Sequence, residues 1–202
     1  MDASASAPFV HPRRCVEDDR SRSARFDGEP GHAVSSRSDE GPKTVTDWDS
    51  QFDAVWNDTE LSDDERVQII DRLAGVWGDN AIALFHRAGA RDAAGREADA
   101  EPLYRRALQL GLDDDHRVQA VVQLASTLRN LGRVHEAVWM LGEEYAHHPT
   151  SPYRDSVAAF YALALVTSGE SRRAASVALG ALAPHLPLYT TSVAAYAREI
   201  AF

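Results

Sequence analysis

The sequence predicts an all-α protein in which three helical hairpins stack as a solenoid, with capping helices at both ends. Two observations carry this. Gly95, Gly132 and Gly169 recur every 37 residues, and Ala100, Ala137 and Ala174 repeat that interval five residues after each glycine. From Thr46 onward the apolar residues fall at helical spacing, and no stretch alternates as a strand would.

Residues 1–44 are rich in Ser, Arg, Asp, Gly and Pro and lack any sustained period. They read as a disordered tail, because they hold too little apolar surface to offset the cost of ordering. The ordered pattern begins abruptly near Val45, and bacterial translation can start at a codon otherwise read as Val, so a natural start at that point is an open alternative. Next, Trp48, Phe52, Val55 and Trp56 mark one face of a short helix. Ser62 and Glu65 form an S-x-x-E capping box, which opens a second helix carrying Val67, Ile70, Ala74 and Trp77 on one side, with Gly78 ending it. Asp58 and Asp63 stand where the repeat's Gly and Ala would fall, so residues 45–78 are expected to be N-terminal capping helices rather than a fourth hairpin.

The repeats follow at 79–112, 113–150 and 151–187. Ala88, Ala125 and Ala162 make a third aligned column, with Leu128 and Leu165 three residues further on in the last two copies. Each glycine can take the positive φ that ends one helix and turns into the next. The alanines let the two helices of a hairpin approach closely. In the middle copy the first helix presents Val118, Val121, Leu124, Ala125 and Leu128, and the second presents Val134, Ala137, Val138 and Leu141. After the repeats, Val193, Tyr196, Ala197 and Ile200 mark a final helix, and residues 188–202 are expected to be the C-terminal cap.

These columns resemble the tetratricopeptide repeat (TPR), whose signposts are large, small and aromatic residues in the first helix, then Gly, Ala, aromatic, Ala and Pro. Copy one supplies Leu84, Ala88, Gly95, Ala100, Tyr104 and Ala107. Copy two supplies Leu124, Ala125, Leu128, Gly132, Ala137, Leu141 and Pro149. Copy three supplies Tyr161, Ala162, Leu165, Gly169, Ala174 and Ala181. The resemblance covers roughly residues 80–187, and LASTLRNLGR in copy two is similar to small stand-alone bacterial TPR proteins. Glu144 and Ala178 depart from it: Glu144 stands where a small residue is expected and Ala178 where a large one is.

The resemblance implies a right-handed α-solenoid whose first helices line a concave groove, and a role as an interaction module or adaptor that binds a peptide or partner protein there. The groove positions are His86, Asp92, Gln119, Gln123, Ser126, Arg129, Asn130 and Thr167, with Phe85, Phe160, Leu163 and Val166 as apolar surface. Arg129 can receive a carboxylate in a bidentate fork, or form an ion pair with an acid such as Asp92. The basic clamp that some TPR co-chaperones use for acidic chaperone tails is missing, since its positions read mainly His86, Gln119, Gln123 and Ser156. The alternative is a self-associating protein, a homodimer included, whose groove is filled by its own C-terminal helix or by a second subunit.

Other function classes find little support. The net charge is −10, Lys43 is the only lysine, and no basic stripe exists for nucleic acid. Nine acidic residues fall between Asp47 and Asp71 against Arg66 and Arg72, which reads as a solvated face and a helix start. Cys15 is the only cysteine, no signal-peptide core is present, and Ala174–Ala197 is broken by Pro184 and Pro187 as a membrane span. The expected location is the cytoplasm. Glu144 with His147, and His135 with Glu136, fall short of metal motifs and read as surface residues, and Asp113–His116 reads as a helix start. No catalytic residue, cofactor or metal is expected, because neither a nucleophile elbow nor a phosphate-cradling glycine loop is present.

Overall fold

The computed structural model describes residues 45–76, 78 and 80–201, without the side chains of 45–49. The predicted tail, Cys15 within it, and the side chains of Trp48 and Trp77 lie outside the described residues. The described residues form α1 (Val45–Asn57), α2 (Asp63–Gly75), α3 (Ala81–Ala93), α4 (Glu97–Leu110), α5 (Asp114–Asn130), α6 (Val134–His147), α7 (Arg154–Thr167), α8 (Ser171–Leu182), a 3₁₀ turn at Ala183–His185, and α9 (Thr190–Glu199). No strand occurs among them.

The helix starts follow local chemistry. Ser62 and Glu65 complete their capping box at α2, Asn80 accepts from the Ile82 and Ala83 amides at α3, and Asp113 accepts from the His116 amide at α5. The three aligned glycines end α3, α5 and α7 in the same way, with φ of 68°, 79° and 89°. In each copy the amide after the glycine donates back over the turn at 2.8 Å: Arg96 to Arg91, Arg133 to Leu128 and Glu170 to Leu165. This is the Schellman closure, repeated three times.

Consecutive helices pair as hairpins, α3 with α4, α5 with α6 and α7 with α8, and each hairpin packs on the next through α4–α5 and α6–α7. The alanine columns sit at these contacts: Ala88, Ala125, Ala100 and Ala137 are 0% exposed. One continuous core runs from Leu84 through Tyr104, Leu124, Leu128 and Leu141 to Tyr161 and Leu165, while Phe52, Val67, Ile70, Ala74, Ala83 and Ala90 form a separate cluster under α1 and α2. The join between copies two and three is tight, because a Cβ at Gly142 would stand 3.1 Å from the Tyr161 hydroxyl.

Two departures from the repeat pattern now have physical accounts. Glu144, a surface residue by its sequence context, is in fact buried: Arg117 donates to both its carboxylate oxygens at 2.7 and 3.0 Å, so the charge is paired across α5 and α6. Ala178 is exposed, and α8 buries only Ala174, whereas α4 buries Tyr104 and α6 buries Leu141 at the matching position. The third hairpin is therefore the least sealed on its outer side.

Candidate functional site

The first helices of the three copies lie side by side, α3 against α5 and α5 against α7. The second helices do not meet in this way among the described residues. The row that touches is the shorter side of the stack, so α3, α5 and α7 form its inner face. Across the outer side, long charged side chains bridge α4 and α6. Arg105 donates to Glu101 at 2.8 Å and to Glu136 at 2.6 Å, and Arg133 donates to the same two carboxylates, closing a ring of four charges.

The inner face is not uniformly open. At copy one it is covered by the chain's own α1. Phe52 stacks on His86 with ring centroids 4.0 Å apart, and Trp56 Nε1 lies 3.3 Å from His86 Nδ1. His86 is buried, as is Phe85, which packs edge-on against His116 and near Tyr104. Neither is groove surface, contrary to the register's projection: α1, from outside the repeats, covers His86, and Phe85 is taken into the repeat core with Tyr104 and His116. Nothing in the periodicity of copy one signals this; the clue is the Phe52–Trp56 pair four residues apart on α1.

Gln123 is also removed from the expected surface, since it is buried and its Oε1 accepts from the Tyr104 hydroxyl at 2.5 Å. Beside it, Thr127 Oγ1 lies 2.9 Å from both Asp92 Oδ1 and the Gln123 carbonyl oxygen. One hydroxyl proton can serve only one of these acceptors. A proton on Asp92 would donate to Thr127, leaving Thr127 free to donate to Gln123. Burial pushes the Asp92 carboxyl up to about 6, opposed by the Thr127 hydrogen bond and assisted by the nearby Glu97 charge. Burial also drives the Tyr104 phenol well above its ordinary range, with the Asp92 charge adding to the effect. Asp92 thus belongs to a polar seam between copies one and two and does not pair with Arg129.

The residues that remain accessible lie on α5 and α7. On α5, Gln119 donates to the Asp115 carbonyl oxygen, Ser126 is half-buried, and Arg129 is half-buried with the Asn130 side-chain oxygen 3.5 Å away. Asn130 is exposed and donates to Glu97 at 3.4 Å. On α7, Phe160 is 36% exposed, Leu163 48% and Val166 56%, and Thr167 is exposed and turned back to the Leu163 carbonyl oxygen. This is one polar row beside one apolar row. The C-terminal helix does not cover it: α9 packs on α8 and the 3₁₀ turn rather than on α7.

A family model described as Tetratrico peptide repeat matches residues 81–200, from the first residue of α3 to just past α9. The chain belongs to the tetratricopeptide repeat family. TPR proteins are in general protein-interaction modules. No curated protein sequence matches the TPR chain. Among its described residues no three His, Cys, Asp or Glu side chains are placed to hold a metal ion, and no helix is long and apolar enough to cross a membrane.

Proposed function

We propose that this TPR chain is a non-enzymatic interaction module that holds a peptide or helix of a partner protein between α5 and α7, with α1–α2 and α9 acting as its end caps. The observation that carries the reading is the pairing of two rows: Phe160, Leu163 and Val166 exposed on α7, beside Gln119, Ser126, Arg129 and Asn130 on α5. An amphipathic segment fits such a surface, its apolar side chains on α7 and its polar groups toward the amides and the guanidinium of α5. An acidic residue of the partner would meet Arg129. The way α1 seats Phe52 and Trp56 over α3 illustrates a helix held on an inner face by aromatic side chains four residues apart.

The test is site-specific crosslinking in native extract, with a photoreactive residue at Leu163 of the full chain. The expected result is a discrete partner band, lost in Phe160→Asp and weakened in Arg129→Ala. Recovery of the same partner by Phe160→Asp at undiminished yield refutes the groove. A second reading places another copy of the chain on the same α7 row, since α1 shows that a helix of this chain can cover an inner face. Light scattering separates the two, because only that reading makes Phe160→Asp convert a dimer to a monomer.

A further inference from the structure

Away from the groove, the C-terminal end of the stack has an unusual surface. Ala174–Ala197 contains no Asp, Glu, Lys or Arg in a chain that is 26% charged. Within it Leu182 is 49% exposed, Leu188 67%, Tyr189 75% and Tyr196 62%. Tyr189 is also the only non-glycine residue with positive φ among those described, at 68°. That backbone region disfavours side chains and persists where something else requires it. Among the described residues no hydrogen bond holds the Tyr189 hydroxyl. Tyr189 caps α9, and Tyr196 follows two turns later on the same side of the helix. Because α9 packs on α8 and the 3₁₀ turn through its other side, this side faces outward.

We propose that this uncharged end, Leu182, Leu188, Tyr189 and Tyr196, is a homodimerisation surface on which α9 of one copy packs against α9 of a second about a two-fold axis. The choice of a second copy rests on charge. A surface that meets itself across a two-fold axis brings every charge near its own image, so charged patches repel and neutral ones do not. Two copies each carrying −10 approach with least repulsion at the longest segment without charge.

The four side chains expose on the order of 500 Å² per copy, given that an aromatic side chain alone can bury 150 to 250 Å². A two-fold pair then reaches about 1,000 Å², the lower limit for a specific interface. The expected dimer is therefore weak and concentration-dependent, dissociating in the micromolar range.

Sedimentation equilibrium of the full chain across that range tests the proposal. The expected result is a monomer–dimer equilibrium that weakens at least about tenfold in Leu188→Asp and in Tyr196→Asp, the scale of a central interface residue, and is unchanged in Phe160→Asp. Tyr189→Gly provides a further variant that relieves the backbone. It should melt at the same temperature as the parent chain or higher while dimerising less, a combination that a purely structural role for Tyr189 would not give. A chain monomeric at every concentration, a dimer indifferent to all three C-terminal variants, or one lost only in Phe160→Asp overturns the proposal. So does a monomer that binds phosphatidylcholine vesicles through the same residues, which would make the end a lipid-facing surface.

Discussion

Replacing Asp92 with asparagine should stabilise the protein at neutral pH, which is unusual for the removal of a hydrogen-bonded, mostly buried carboxylate. Folding raises this carboxyl from its ordinary 3.8 to about 6, so the folded state binds the proton more tightly than the unfolded chain does. The contribution of Asp92 is therefore most favourable below pH 3.8. It declines as pH rises from there to about 6 and is constant above, at a cost of up to about 3 kcal/mol. The Asp92→Asn change removes the charge and supplies an amide proton to Thr127, so Thr127 can donate to the Gln123 carbonyl, as it would opposite protonated Asp92. The charged neighbours are few: Glu97 adds repulsion, and Arg91 on the same helix is engaged by Asp71 at 2.9 and 3.0 Å. The carboxylates of the unfolded chain titrate near the same range, so the quantity to measure is the difference between Asp92→Asn and the parent chain, by urea unfolding followed by circular dichroism at a series of pH values. The variant should lead by about 2 to 3 kcal/mol at pH 8, with the lead shrinking toward acid. A variant that is less stable than the parent at pH 8, or a difference independent of pH, would refute the reasoning.

Three further outcomes follow from the geometry. Gly132→Ala forces a Cβ onto a residue with φ of 79° and should lower unfolding stability by about 1 to 2 kcal/mol, although nothing lies within 4 Å of the new methyl group. Glu144→Ala strands Arg117, and because that guanidinium is 28% exposed the loss should be about 2 kcal/mol rather than the full cost of a buried charge, read from the urea midpoint. Tyr104→Phe leaves the buried Gln123 oxygen without its donor and should cost about 1 to 2 kcal/mol, with the helical signal at low temperature unchanged.

What the sequence reveals and what it hides separate by range. Glycine columns, alanine columns and the Ser62–Glu65 box are legible because each answers to chemistry within a few residues: a positive φ, a small contact, a capped amide. The groove is legible only as a direction. The period directs Phe160, Leu163 and Asn130 away from the core, and all three are exposed, but it carries no sign that α1 returns over His86, thirty residues after Trp56. Nor does it show Tyr104 reaching across to Gln123, since periodicity says which way a side chain points and nothing of what arrives to meet it. Glu144 misleads for the same reason, because its compensation is Arg117, in the preceding helix. The placement of α9 on α8 rather than over α7 depends on the path through Pro184 and Pro187, which no repeat pattern specifies.

The ring of Glu101, Arg105, Arg133 and Glu136 has a mechanical consequence. It straps α4 to α6 on the outer side, while among the described residues no ion pair straps α6 to α8. Exposed charges of this kind add little to stability, but a closed ring resists being stretched. The outer spacing of the first two copies is thus set by paired charges, whereas copies two and three are held by close packing, with Gly142 against Tyr161. A guest lying between α5 and α7 would therefore find a seat whose width is set by that contact, so a side chain added at Gly142 would widen it.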